Sequence, residues 1–198
     1  MTTDERGMEA APASAIAAHA ALFDRVADRK AGGPRDVPLN AMRQPAARRA
    51  SFAYFDDWLL TRDLKDKRVL DLGCGRGEVS VQLALLGARV TGIDISPQSL
   101  EKARALGAKH GVSDRMTFRE GEAENLPFDD DAFDLVVSAG VMSFVNFDTV
   151  VMELARVLQR DGTMVLLETL GHNPIAGLGR RRRLSRGETT QFQGDNIM

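Results

Sequence analysis

The sequence predicts an α/β fold, a doubly wound and mostly parallel sheet preceded by N-terminal helices. Three observations carry this. Between Arg68 and Thr169, short apolar runs of strand length alternate with longer stretches whose apolar residues recur at helical spacing. The first run, Arg68-Val69-Leu70-Asp71-Leu72, ends in Gly73-Cys74-Gly75-Arg76-Gly77, where alternate glycines mark a tight strand-to-helix turn. After the second run, Ser96-Pro97 supplies an N-cap hydroxyl and a proline at the first helical position.

In chain order, Met1 to about Ser14 lacks a periodic apolar face and reads as a tail. Ile16, Leu22, Phe23 and Val26 give a short helix from Ile16 to Asp28, and Gly32-Gly33-Pro34 breaks it. A second helix starts after Pro45 with Phe52, Phe55 and Leu59 on one stripe and Tyr54 and Trp58 beside it. After the first strand, Val79, Leu83 and Leu86 mark the inner face of a helix that Gly87 ends. Ala88 to Ile95 is the second strand, and Leu100, Ala103 and Leu106 face inward from the helix that follows. Met116 to Arg119 and Phe133 to Ser138 are strands three and four, Thr149 to Leu158 is a helix, and Thr163 to Thr169 is strand five. The expected organisation is a helical extension over 1–60, a ligand-binding domain over 61–170 and a basic, polar tail over 171–198.

Composition bounds the function. With 43% hydrophobic and 27% charged residues, the chain has the balance of an ordinary globular domain, long enough for one sizeable core. A formal charge of -2 provides no general attraction to nucleic acid or anionic membrane. One cysteine, Cys74, excludes an internal disulfide framework and a multi-cysteine metal site, which fits a reducing cytoplasm. The N-terminus, with Asp4, Glu5 and Glu9, makes a poor signal peptide, and no apolar run has transmembrane length.

The glycine turn narrows the ligand. A dinucleotide fingerprint needs its third glycine at position 78, where this chain has Glu78, and that argues against a nicotinamide oxidoreductase. Asp71 lies two residues ahead of the first glycine. A carboxylate there suits an ammonium or sulfonium better than a pyrophosphate.

Asp71-Leu72-Gly73-Cys74-Gly75-Arg76-Gly77, then Gly92-Ile93-Asp94-Ile95-Ser96, then Gly121-Glu122-Ala123-Glu124-Asn125-Leu126-Pro127-Phe128 resemble the class I S-adenosylmethionine-dependent methyltransferases. The likeness is to the small-molecule branch that includes ubiquinone and menaquinone biosynthesis enzymes, and it covers Arg68 to about Leu170 in the family's order. It implies a Rossmann-like methyltransferase fold, S-adenosylmethionine as cofactor and a small-molecule methyl acceptor. N-terminal helices would lie across the cleft.

By the same resemblance, Asp71 orients the methionine end through water, beside the backbone of Gly73, Cys74, Gly75 and Gly77. Asp94 holds the ribose hydroxyls, Ile95 touches an adenine face, Glu122 accepts from the adenine amino group, and the Ala123 amide serves the ring. The segment after Ser138 lies at the same carboxyl edge. Plain structural readings stand beside these: Asp71 as a strand-end acid tying down turn amides, Cys74 as a small packed residue, Asp94 as a cap on the Ser96 helix, and Glu122 as an exposed loop acid. His172, just past strand five, is the candidate general base or else a turn residue; His19 and His110 fall on expected helices. No metal is expected.

One departure from the family matters. The family continues past strand five through a helix and an antiparallel pair of strands, and Leu170 to Met198 is short for all three. The terminal hairpin is therefore expected to be missing, in either a fragment or a shortened gene product, which leaves strand five as an edge open to self-association; a catalytically weak or inactive module that only binds the cofactor is the alternative to an active methyltransferase. Arg180 to Arg183 lack interleaved aromatics, so they read as a solvated face rather than an RNA or membrane contact.

Overall fold

The computed structural model describes residues 50–167 together with Ala20, Ala21 and Asp24. Those three are helical, inside the expected Ile16–Asp28 helix. The remainder of that helix, the Gly32-Gly33-Pro34 break, His19, His172, Arg180 to Arg183 and the awaited hairpin region lie outside the described residues.

The elements run α1 (Ala50–Leu60), β1 (Arg68–Leu72), α2 (Glu78–Leu85), β2 (Arg89–Asp94), α3 (Pro97–Lys109), β3 (Met116–Glu120), β4 (Phe133–Ala139), α4 (Phe147–Val157) and β5 (Leu158–Leu167). The strands form one sheet in the order β3-β2-β1-β4-β5. Every neighbouring pair is parallel. Strand order reverses about β1, so a crevice opens at the carboxyl ends of β1, β2 and β4.

Register sorts the two faces. Asp71 is level with Gly92 on one side and Val137 on the other, and Leu72 with Ile93 and Ser138. Val69, Val90, Leu135 and Val137 pack with Phe55 and Leu59 of α1, Val81 and Leu83 of α2 and Leu106 of α3. On the opposite face, Leu70, Leu72, Ile93 and Val136 pack with Val150, Leu154 and Val157, the i, i+4, i+7 stripe of α4. A sheet buried on both faces explains why its central strands read as continuous apolar runs.

Two expectations shift. The inner face of α2 is broader than Val79, Leu83 and Leu86: Ser80, Val81, Gln82, Leu83 and Ala84 are all buried, while Val79 and Leu86 are only half covered. The helix is wedged against β1, β2, β3 and α3, so tertiary surroundings override the stripe. Second, α4 starts at Phe147, capped by Asn146, whose Oδ1 accepts from Thr149 N at 3.1 Å, and passes straight into β5. There the ladder jumps from Phe133 opposite Leu158 to Leu135 opposite Thr163, so residues 159–162 bulge and the regular strand begins at Thr163 as expected.

Among the described residues β5 is the outer strand on its side, with Met164 to Leu167 half-buried. No helix among them is long and apolar enough to cross a membrane.

Candidate functional site

The turn after β1 is fastened by the chain's own backbone. Gly73 N and Cys74 N both donate to Ile93 O, at 2.8 and 3.1 Å, and Gly77 N donates to Cys74 O at 2.9 Å. The glycines have different reasons to lack a side chain. A Cβ on Gly73 would lie 2.2 Å from Val141 Cγ2, and one on Gly77 2.8 Å from the Ala103 Cβ of α3. Gly75 (φ +53°) is unlike both, since among the described residues no atom lies within 4 Å of its would-be Cβ. The turn is therefore closed by packing at its ends and open at its middle, which lets a ligand approach the backbone there.

Asp94 joins that turn to the next. Its Oδ2 accepts from Gly75 N at 2.8 Å and its Oδ1 from Ser96 N at 2.9 Å. The helix-capping reading of Asp94 thus holds in part, and each carboxylate oxygen keeps lone-pair capacity for a second donor. Burial pushes the Asp94 carboxyl up; the Ser96 and Gly75 amides pull it back, and Asp24 pushes it up again. Asp24 accepts from Ser96 Oγ at 2.5 Å, while Ser96 Oγ accepts from Ser99 N at 3.1 Å to cap α3. The N-terminal segment therefore touches the rim of this crevice.

Asp71 is 2% exposed and receives the Ser80 hydroxyl at 2.5 Å. It ties β1 to the first turn of α2 rather than to the amides of the glycine turn. Burial raises its carboxyl to about 7; the Ser80 hydroxyl opposes this, and Asp94 and Glu78 add to it. Cys74 is buried, its Sγ 2.8 Å from where a Gly92 Cβ would stand. Burial, with Asp71 and Asp94 nearby, pushes the thiol well up, so it stays neutral and packs.

The segment after β3 forms one wall. Gly121 N donates to Asp94 O at 3.2 Å, and a Gly121 Cβ would stand 2.7 Å from Ile93 Cδ1. Ala123 and Leu126 are buried, whereas Glu122 and Ile95 are half-buried. The opposite wall is the end of β4: Ser138 is fully buried with its Oγ lacking a hydrogen-bond partner, and a Cβ on Gly140 (φ +78°) would meet no atom of the described residues within 4 Å. Gly140 N donates to Leu167 O at 2.9 Å.

The structure thus brings Asp71, Gly73, Cys74, Gly75, Gly77, Asp94, Ile95, Glu122, Ala123 and Ser138 to one crevice. His110 caps the far end of α3, which starts at this edge and runs away from it. Sequence reasoning missed Ser80, Gly140, Val141 and Asp24. Gly140 carried a signal, a glycine just past a strand's carboxyl end; the other three carried none. The set suits a nucleoside with a cationic tail: an open backbone turn, paired acids, an apolar wall and a buried hydroxyl with spare capacity.

The comparisons agree with this geometry. A family model described as a methyltransferase domain matches residues 63–174. Sterol 4-C-methyltransferase strm-1 of Caenorhabditis elegans is 32% identical over 105 residues, 52% of this chain and 31% of that protein. The YcgJ protein of Bacillus subtilis superposes with a TM-score of 0.57 at 29% identity, over 64% of this chain and 56% of that one. The [4+2]-cyclase SpnF superposes at 0.63 and 26% identity, over 79% and 60%. This chain spans 31% to 46% of the length of the curated relatives at the two ends of that range. With the matched stretch covering more than half of the chain and the crevice lying where the motifs converge, the chain belongs to the methyltransferase domain family, with the class I S-adenosylmethionine-dependent fold.

Proposed function

We propose that this chain binds S-adenosylmethionine in the crevice beside Gly75 and transfers its methyl group to a small-molecule acceptor. One observation carries the reading: among the described residues no atom lies within 4 Å of a would-be Gly75 Cβ, while the Gly75 amide is fixed by Asp94, so the backbone nearest the ligand is both uncovered by those residues and held. Asp94 keeps acceptor capacity for the ribose hydroxyls, and the Glu122-Ala123 segment lies beside Ile95 for the base.

Bound there, the cofactor supplies an electrophilic methyl on a sulfonium, so the protein's part is mainly orientation and exclusion of water. Ile93, Ala123 and Leu126 wall off solvent. Ser138 Oγ offers a donor and an acceptor at the β4 side. Asp71, poised near neutrality, balances the positive methionine end when ionised. His172 is the proposed general base for an acceptor that must lose a proton.

This reading divides the chain into a helical cap over 1–60, the cofactor domain over 61–170 and a tail over 171–198. It also takes β5, with half-buried Met164 to Leu167 and no strand beyond it among the described residues, as a surface where two chains pair. A second reading has a specific observation behind it. The superposition on the [4+2]-cyclase SpnF supports this fold serving a site that does chemistry other than methyl transfer, and a chain that binds the cofactor without catalysis is the corresponding alternative.

Calorimetric titration with S-adenosylhomocysteine and with NAD tests the cofactor. Binding of the first and not the second is expected, and the reverse overturns the proposal. Transfer of labelled methyl to a panel of sterol, phenol and amine acceptors then separates an enzyme from a binding module.

A further inference from the structure

Residues 121–132, between β3 and β4, contain no helix or strand, and their internal backbone bonds are Asn125 N to Glu122 O and Phe128 N to Leu126 O. Something else must hold this segment in place. Three successive carbonyls in it each accept from an arginine. Arg156 Nη2 donates to Leu126 O at 3.0 Å, Arg119 Nη1 to Pro127 O at 3.1 Å, and Arg156 Nη1 to Phe128 O at 2.7 Å.

Arg156 is itself clamped. Its Nε donates to Glu153 Oε1 at 2.9 Å and its Nη2 to Glu153 Oε2 at 2.7 Å, while Nη1 also reaches Asp130 Oδ1 at 3.0 Å. The same Glu153 Oε2 accepts from Leu126 N at 2.8 Å, and Arg156 O accepts from Asp131 N at 3.0 Å. All five guanidinium protons are thereby used in a planar fork that lysine cannot reproduce. The Arg156 bonds hold the Glu153 carboxyl below its usual range.

The fastening extends along both sides. Arg119 lies over the Phe128 ring at 5.7 Å, and Phe128 meets Phe133 edge to face at 5.0 Å. At the other end of α4, Asn146 N donates to Glu124 Oε1 at 3.1 Å. Residues 124–131 are thus splinted onto α4 from its N-cap to its last turn. The part of the segment outside this splint is Gly121-Glu122-Ala123, anchored through Gly121 N to Asp94 O and through Asn125 N to Glu122 O.

We propose that Arg156, clamped by Glu153 and seconded by Arg119, is a positioning residue that sets how Glu122 and Ala123 are presented to the adenine ring. This rests on the cofactor reading given above. A carbonyl ladder held from behind by guanidinium groups fixes the height of the segment without placing any charge in the crevice. Selectivity for the adenine edge then depends on a residue that never touches the ligand.

The test measures, on the full chain, the affinity ratio between S-adenosylhomocysteine and its hypoxanthine analogue, in which an oxygen replaces the adenine amino group. Wild type is expected to favour the adenine form. In Arg156→Lys, affinity for S-adenosylhomocysteine should fall about tenfold, the worth of one good hydrogen bond, and the ratio should collapse toward unity. Arg119→Ala, at an exposed residue, should lower the ratio less and carries the test alone should the first variant fail to fold. A lower melting temperature with the wild-type ratio retained in the folded variants assigns the arginines to stability alone and overturns the inference. Wild type that binds both ligands equally removes the adenine assignment and overturns it too, whereas wild type that binds neither refutes the cofactor reading itself.

Discussion

At the carboxyl edge of the sheet, the half built on β1 and β2 and the half built on β4 and β5 are held in different ways. In the first, turn amides are taken by the chain itself: Gly73 and Cys74 by Ile93 O, Gly75 and Ser96 by Asp94, Gly77 by Cys74 O. In the second, Ser138 keeps a buried hydroxyl without a hydrogen-bond partner, a Gly140 Cβ would meet no atom of the described residues within 4 Å, and Val141 leans on Gly73. A preformed half beside one that keeps a buried hydroxyl unpaired suits the proposed pairing of a shared cofactor with a variable acceptor. The first can be organised by short local patterns, while the second depends on what is bound.

The largest expected effect breaks the contrast inside the first half. Gly75→Val should abolish binding of S-adenosylhomocysteine, because the branched side chain fills the open middle of the turn and resists its φ of +53°. The fold should survive, with about 1–2 kcal/mol lost to backbone strain. Gly77→Ala should do the opposite, costing stability through the Ala103 contact more than it costs affinity. Circular dichroism melts beside calorimetry read both, and normal binding by folded Gly75→Val refutes the placement of the ligand.

Next comes Asp94, which spans the ribose side and the turn. Asp94→Ala should weaken binding by about 1–3 kcal/mol, the cost of losing a charged hydrogen-bonding partner, and Asp94→Asn by less. Unchanged affinity in the alanine variant removes the ribose assignment.

A pH effect on stability follows from Asp71. Its carboxyl is raised in the folded state from 3.8 to about 7, so the folded chain holds the proton more tightly than the unfolded chain. Stability is then fully present below pH ~4 and is lost as pH rises through ~7, by at most about 1.4 kcal/mol per unit. Asp71→Asn, which keeps an oxygen for the Ser80 hydroxyl, should flatten that slope, as denaturant melts between pH 5 and 8 will show. An equal slope in both proteins contradicts the assignment.

The smallest effect lies at β5. Light scattering should reveal concentration-dependent association, and Thr163→Lys, at an exposed position of β5, should reduce it by charging the edge. A monomer at all concentrations removes the pairing surface from the account.

How much of this was legible follows the same division. The glycine turn, Asp94 and the Ser96-Pro97 cap were readable because each rule acts within a few residues of chain. The partner of Asp71 was not, since Ser80 becomes meaningful only once α2 folds back onto β1. Nor was the broad burial of α2, because neighbours on several sides decide it. The arginine ladder joins β3, the following segment and α4, and no local spacing announces it. His172 lies outside the described residues.

Hydrogen exchange of the full chain, with and without S-adenosylhomocysteine, tests the central contrast most directly. The account predicts added protection at Gly73 to Gly77, Ile93 to Ser96 and Gly121 to Ala123, with little change at residues 140–146 until an acceptor is added. Protection appearing first at 140–146, with none at the glycine turn, would contradict it.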